Sequence, residues 1–422
     1  MADFTRPRGT RDFGPEEMRA RREVEKRMRE AIEAYGYEEI STPTFEHSDL
    51  FIARSGPQIL DQIYDFKDKG GRDLVLRPEL TAPVMRYYFS ELRNSPKPLR
   101  IYYFGNCFRY ERPQKGRYRE FWQLGLEYIG TRSTLALSEV INASISALEA
   151  AGLEGFDVRV GHVALLSSIL SEWSVDSSNR ELMIAIDKKD RPRIVSILGG
   201  GEDAEKVAEL VSSSCNIHEA SRILQRMRDE VTGIDIGALE ELSAVMDRII
   251  PCRGNVKMDP SITRGLDYYD GIVFEIDAPT LGAEKQICGG GAYSLSDVFD
   301  GVVEGIGFGL GFDRILVALG KEVKETDGMV SAYLIPMGGK AGKEAPALAS
   351  AIRSLGMKCF LETSDRPFKK ALAAALNSGS RFLIVLGDNE IQKGTVTIKD
   401  LSTKKQVEVP RSDVGRALGV RS

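Results

Sequence analysis

The chain has 422 residues, 42% of them hydrophobic, and a net charge of −5. That length allows two or three domains with a large core and excludes a fibre or a disordered chain, and no apolar run approaches the ~20 residues of a membrane span. The five cysteines, at 107, 215, 252, 288 and 359, are scattered and lack a CxxC spacing, which points away from a disulfide framework and from a zinc site.

The N-terminal MADFTRPRGTRDFG has no apolar stretch of signal-peptide length, so the expected location is cytoplasmic, with no membrane partner. Pro15, Glu16 and Glu17 then open a helix that carries Met18, Val24, Met28, Ile32 and Tyr35 at helical spacing and stops at Gly36. GYEEISTPTFEHSDLF reads as a strand broken at Pro43. Asp73 to Arg77 is a short strand, which Pro78, Glu79, Leu80 and Thr81 turn into a helix from Ala82 to Leu92. An acid and a hydroxyl at that point are explained by helix capping alone.

Phe108 to Gly130 reads FRYERPQKGRYREFWQLGLEYIG, with period-two alternation on both sides of a charged turn: a long antiparallel hairpin. Its loop, Arg109 to Arg119, gathers Arg109, Arg112, Lys115, Arg117 and Arg119 around Glu111. Guanidinium forks match phosphate geometry, while a solvated basic turn is the other reading. Gln123, Gly125 and Glu127 share one face, an amide and a carboxylate beside a gap in side-chain volume that suits a small polar ligand.

Thr134 to Ala151 is a helix stopped by Gly152, and Phe156 to Gly161 a strand. Residues 166–229 show helical spacings and no strand of note, a small helical insertion; within it His218 lacks the second histidine of a zinc-protease motif and reads as a surface residue. TRGLDYYDGIVFEID, residues 263–277, is an Arg-, Asp- and Tyr-rich loop feeding a strand, for which an Asp and Arg pair fixing the loop is a sufficient structural reason. CGGGAYSLSDVF follows at 288–299. In GIGFGLGFDRILVAL, residues 305–319, Gly305, Gly307, Gly309 and Gly311 leave one strand face as bare backbone against which a flat ligand can lie, and Asp313 and Arg314 open a helix. The spacing GxGxGxG is not a dinucleotide fingerprint, and no GxxxxGK[ST] occurs. Beyond the hinge GKEVKETDG, strands at Ser331–Pro336, Met357–Glu362, Arg381–Leu386 and Thr395–Lys399 and helices at Glu344–Leu355 and Phe368–Ser378 imply a small α/β sheet. From Asp327 onward 15 Lys and Arg face 9 Asp and Glu, a balance of +6 that leaves −11 on the first 326 residues. A basic module of this kind suits nucleic acid, and equally a solvated lysine-rich surface.

The hairpin wording RYERPQKGRYREFWQLGLE is similar to motif 2 of the class II aminoacyl-tRNA synthetases, specifically to the histidyl-tRNA synthetase family. The segment around Pro43 resembles motif 1, LRPELTAPVMR the family's LRPE-x-T segment, TRGLDYYDGIVFEID a histidyl signature, and GIGFGLGFDRILVAL motif 3. A second histidyl signature, approximately GGRYDGL, is matched at Gly289 to Gly291 and Tyr293, but Ala292 replaces its arginine and Ser294 its aspartate. Nearly all of the chain except the insertion is covered.

The resemblance implies an α+β fold, with a class II synthetase-like antiparallel sheet flanked by helices. The catalytic domain would span 1–165 and 230–322, the helical insertion 166–229, and a C-terminal α/β anticodon-binding-like domain 328–422. It also implies a homodimer acting on L-histidine, ATP with Mg²⁺, and tRNA(His), with no metal held by the protein alone. Catalytic roles fall to Arg109 and Arg264, and histidine binding to Glu79, Thr81, Gln123, Glu127, Tyr269 and Tyr293. ATP falls to Arg109, Glu111, Arg117, Phe121 and Arg314, and the tRNA acceptor end to Arg112 and Gln114, with the insertion leaning over the acceptor stem. Two rivals remain at this point: a catalytically inactive synthetase-like regulatory subunit of histidine biosynthesis, and a nucleic-acid-binding accessory protein on the same fold.

Overall fold

The computed structural model describes residues 4–55, 57–112, 116–175, 179–263, 269–295, 302–320, 331–364 and 366–419. The chain divides into two compact units, residues 1–324 and 325–422. Among the described residues no helix is long and apolar enough to cross a membrane.

The strands of the first unit are β1 (Glu38–Glu39), β2 (Phe45–His47), β3 (Tyr64–Lys67), β4 (Asp73–Leu76), β5 (Leu99–Phe108), β6 (Glu120–Ile129), β7 (Asp157–His162), β8 (Cys215–Asn216), β9 (Asn255–Met258), β10 (Ile272–Asp277), β11 (Gln286–Leu295) and β12 (Val303–Gly311). Nine of them form one sheet in the order β1-β5-β6-β12-β11-β10-β7-β9-β8, while β2, β4 and β3 form a small second sheet. The large sheet is antiparallel through its middle, as expected, and parallel at its flanks where β1 meets β5 and β7 meets β9. The hairpin is longer than the alternation around its turn suggested. Its first arm is β5, ending at Phe108, so Arg109 to Glu111 belong to the loop.

Two helices cover one face of the sheet, α1 (Pro15–Glu33) and α4 (Thr134–Ala151), with α2 (Ser48–Ser55) and α3 (Thr81–Tyr87) between them in sequence. The stripe Val24, Met28 and Ile32 of α1 meets Leu137, Val140 and Leu148 of α4 over Leu124, Leu126, Ile306 and Phe308 of the sheet, all buried, as i, i+4 spacing requires. Ser133 caps α4, its Oγ accepting the Ala136 N–H at 3.2 Å, and Gly152 ends it at φ 91°, the left-handed conformation glycine tolerates.

The insertion is the run α5 (Val163–Glu172), α6 (Arg180–Asp187), α7 (Arg191–Ile197), α8 (Glu202–Val211) and α9 (Ile217–Glu230), followed by α10 (Ile236–Met246). It does contain a strand: two-residue β8 pairs with β9 and extends the large sheet. Leu166, Ile169, Ile194, Val207 and Met227 belong to the same contiguous core as Val158 and Val160 of β7, so the insertion folds onto the sheet rather than forming a core of its own. After β12 comes α11 (Phe312–Leu319).

The second unit holds β13 (Ser331–Met337), α12 (Gly339–Ser354), β14 (Lys358–Leu361), α13 (Phe368–Asn377), β15 (Phe382–Gly387), α14 (Asp388–Lys393), β16 (Thr395–Asp400) and β17 (Gln406–Pro410). The sheet order is β14-β13-β15-β16-β17, parallel among the first three and antiparallel beyond. β17 and α14 were not foreseen. β17 is a largely exposed edge strand with little apolar signal, and α14 is short and charged.

Candidate active site

Cross-strand register brings the glycine rows together. Gly125 stands opposite Tyr103 on one side and Gly309 on the other, and Gly309 opposite Gly289; the next row runs Ile101, Glu127, Gly307 and Gly291. Partners across a ladder share a face, so Gln123, Gly125 and Glu127 lie on the same face as the stripe Gly305 to Gly311.

That face is not bare along its length. A Cβ at Gly125 would lie 2.5 Å from the Tyr103 ring, and one at Gly305 2.5 Å from the Tyr293 hydroxyl, while Gly307 is covered by the Glu127 carboxylate. The protein's own Tyr103 thus fills the gap read at Gly125, and Tyr293 and Glu127 fill half of the glycine stripe. Of that stripe Gly309 and Gly311 line the cavity with Gln123, together with Gly289 of β11.

The cavity is about 510 Å³. Of the expected site residues, Glu79, Thr81, Arg109, Glu111, Arg117, Phe121, Gln123, Tyr269 and Arg314 line it. Glu127 and Tyr293, 1% and 0% exposed, stand in the layer beneath, where Glu127 accepts the Tyr293 hydroxyl at 2.8 Å and the Tyr103 hydroxyl at 3.2 Å. Arg112 is exposed and outside the lining. Arg264 and Gln114 lie outside the described residues.

The lining mixes acidic, amide and guanidinium groups. The Glu79 carboxylate accepts the N–H groups of Thr81 and Ala82 at 2.6 and 2.9 Å, capping α3, and Thr81 Oγ1 is 3.3 Å from the Tyr103 hydroxyl. Capping and lining are therefore the same geometry: the cap fixes an acid at the wall. Next to it, burial pushes the Cys107 thiol up to about 12, keeping it a donor to Gln123 Oε1 at 3.3 Å, while Gln123 Nε2 is what a Cβ at Gly309 would meet, at 3.9 Å.

Guanidinium groups of the lining are held in place. Arg314 donates from Nε to the Gly116 carbonyl at 3.0 Å and from Nη1 to the Gln286 carbonyl at 2.6 Å. Arg109 donates to the Pro78 carbonyl at 2.9 Å, 5.1 Å from the Phe121 ring centre. Among the described residues the loop cations do not act as one cluster: Arg117 pairs with Glu111, Arg119 bonds the Glu111 carbonyl and lies over Tyr110, and Arg112 faces solvent; Lys115 lies outside the described residues.

Several contributors went unread in the sequence. Asp313 is 2% exposed and takes Arg11 at 2.5 Å, Arg21 at 2.7 Å and the Trp122 N–H at 2.6 Å, tying the N-terminal segment and α1 to the start of α11, next to Arg314. Arg21 sits on the buried stripe of α1, where a charge reads as an interruption. Gln286, whose carbonyl fixes Arg314, carries no local signal at all.

The family model described as Histidyl-tRNA synthetase matches residues 9–315, and one described as Anticodon binding domain matches residues 331–419. The chain is 43% identical over 412 residues to the histidine–tRNA ligase of Archaeoglobus fulgidus, covering 97% of this chain and 98% of that protein. The chain belongs to the histidyl-tRNA synthetase family. Among solved structures it is similar to the apo histidyl-tRNA synthetase of S. aureus, at 28% identity and a TM-score of 0.74 over 99% of this chain and 100% of that one. It is also similar to a Bacillus halodurans protein described as an ATP phosphoribosyltransferase regulatory subunit/histidyl-tRNA synthetase, at 27% identity and a TM-score of 0.75 over 91% and 98%. The sheet with flanking helices and the separate α/β unit are the class II synthetase architecture. Where this chain departs from the second histidyl signature, the missing charges reappear beside it: Arg132 pairs with Asp270 at 2.7 Å and donates to Ser294 Oγ at 3.4 Å, and the Asp270 N–H bonds the Ala292 carbonyl.

Proposed function

We propose that this chain is a histidine–tRNA ligase, which activates L-histidine with ATP to histidyl-adenylate and pyrophosphate and then transfers histidine to the 3′ end of tRNA(His). The observation that carries the reading is one cavity lined by an acid, an amide and anchored guanidinium groups, in a chain matched along its length by histidyl-tRNA synthetases. Such a cavity suits an amino acid and a triphosphate meeting head to head.

The carboxylate of histidine is itself the nucleophile, so no protein nucleophile is required; positioning and charge neutralisation carry the step. Glu79 and Thr81 would hold the α-ammonium group, and Gln123, Glu127, Tyr269 and Tyr293 would select the imidazole. Glu127 acts from beneath the floor, oriented by two tyrosine hydroxyls. A site built on such bonds rejects an analogue lacking them by about 10⁴ to 10⁵. Arg109 and Arg264 would grip the α-phosphate and Arg314 the γ-phosphate, with Arg117, Glu111 and Phe121 at the adenine and triphosphate end. Among the described residues no group of three potential ligands could hold a metal, while Glu111 offers a carboxylate at the phosphate end. Mg²⁺ would be carried mainly by phosphate oxygens, where it would neutralise their charge. The insertion, together with Arg112 and Gln114, would meet the acceptor stem and residues 328–422 the anticodon, in a cytoplasmic homodimer.

The regulatory-subunit reading leaves the anchored Arg314 and the cavity-lining Arg109 without a task, and the accessory-protein reading leaves the whole cavity without one. Histidine-dependent exchange of pyrophosphate into ATP, followed by charging of a tRNA(His) transcript, tests the proposal; histidine binding without exchange would sink it in favour of the regulatory reading.

A further inference from the structure

A buried charge network outside the cavity joins the insertion to the residues that hold Arg314. Arg159 on β7 donates to Asp259 at 3.3 Å and to Asp277 at 3.0 Å and pairs with Glu275. All three carboxylates are buried, 0%, 1% and 3% exposed respectively for Asp259, Asp277 and Glu275. Lys285 reaches Asp277 at 3.2 Å, and Lys189, in the turn after α6, reaches Asp259 at 2.7 Å. Among the described residues three carboxylates thus face three cations, and one cation comes from the insertion. Among the described residues Asp277 Oδ1 is buried without a hydrogen-bond partner, so the network is short of donors at that carboxylate. Burial pushes the Asp259 carboxyl up, but Lys189, Ser261 and Arg159 outweigh it and hold it below the ordinary value.

The far side of the network is the cavity wall. Glu275 Oε1 accepts the Gln286 side-chain N–H at 2.9 Å, and the Gln286 carbonyl is the one that Arg314 grips at 2.6 Å. Pairing between β10 and β11 shifts register between Ile276 and Asp277, and Gln286 follows that irregularity. Its orientation therefore leans on side-chain bonds more than on a regular ladder.

We infer that Asp259 is a positioning residue, the junction through which the helical insertion, by way of Lys189, sets Glu275, Gln286 and the nucleotide-end guanidinium of Arg314. Docking of Lys189 adds a cation at Asp259, and its withdrawal leaves Asp259 to Arg159, which also serves Glu275 and Asp277, loosening the Glu275 to Gln286 bond. The inference rests on the ligase reading and adds a route by which contact on the insertion reaches adenylation.

The test is steady-state pyrophosphate exchange with the full chain. Lys189 is about one-third exposed, so Lys189→Met should fold; it is expected to lower kcat/KM for ATP roughly 3- to 30-fold while histidine KM stays within about twofold, and Lys189→Arg should restore most of the loss. Asp259→Asn should act in the same direction, and the double variant should lose less than the product of the two single effects. Unchanged ATP kinetics, equal loss toward ATP and histidine, multiplicative effects, or a lowered Tm with normal kinetics would each overturn the coupling. Absence of exchange in the unaltered chain overturns the ligase reading instead, which keeps the two failures apart.

Discussion

Gly307→Ala should disable histidine recognition from beneath the cavity without adding anything to the cavity itself. A Cβ there would overlap the Glu127 carboxylate and stand 2.8 Å from the Leu126 carbonyl, which is fixed in the sheet, so the side chain has to move. Glu127 then leaves the Tyr293 and Tyr103 hydroxyls, now 2.8 and 3.2 Å away. Two hydrogen bonds to a charged group are worth about 3 to 6 kcal/mol, of which a carboxylate turned toward the cavity recovers part from water. A net loss of about 2 to 4 kcal/mol lowers Tm by roughly 5 to 15 °C. Histidine KM should rise about tenfold or more, with ATP KM within about threefold. Gly309→Ala is the matched control. Its Cβ would meet only Gln123 Nε2 at 3.9 Å, so Tm should hold, while the methyl group occupies the cavity floor and impairs substrate binding. Calorimetry and exchange kinetics on both variants decide the matter, and a Gly307→Ala protein with ordinary Tm and histidine KM would refute the placement of Glu127.

Asp313→Asn removes the charge shared by Arg11 and the buried Arg21, which should cost about 3 to 5 kcal/mol and be visible as a Tm fall of roughly 6 to 15 °C; an unchanged Tm would show that neither pair contributes. Arg264→Ala should slow adenylate formation by about 10² to 10³ with a smaller effect on histidine affinity, since negative charges converge most in the transition state. Single-turnover adenylate formation measures it, and intact kcat with only histidine KM raised would make Arg264 a ground-state binder. Truncation after about Gly328 should spare exchange and impair tRNA charging; poor exchange by a folded truncation would contradict an RNA-only role for the second unit. The lowered Asp259 carboxyl stabilises the fold above its unfolded value, and that stability is lost as pH falls through roughly 4 and past the folded value. Acid titration followed by far-UV circular dichroism should therefore show a shallower loss for Asp259→Asn than for the unaltered chain, and equal slopes would refute the linkage.

Local pattern determined a good deal of this protein. Helical spacing located α1 and α4, Gly152 ended α4 where glycine's left-handed conformation was needed, and period-two alternation put Gln123, Gly125 and Glu127 on one face. These features depend on neighbours two to four positions away, which the sequence displays directly. Partnerships across long separations were decided only by the fold. Arg21 meets Asp313 across 292 positions, Arg159 meets Glu275 across 116, and Tyr103 fills the space over Gly125 that looked open for a ligand. The same holds for the loop cations, which alternation grouped together and packing distributed among Glu111, Tyr110, solvent and the cavity. A charge in a sequence shows neither its depth nor its partner. Both follow from which strands become neighbours in the nine-stranded sheet, and that order is a result of burying the whole chain at once.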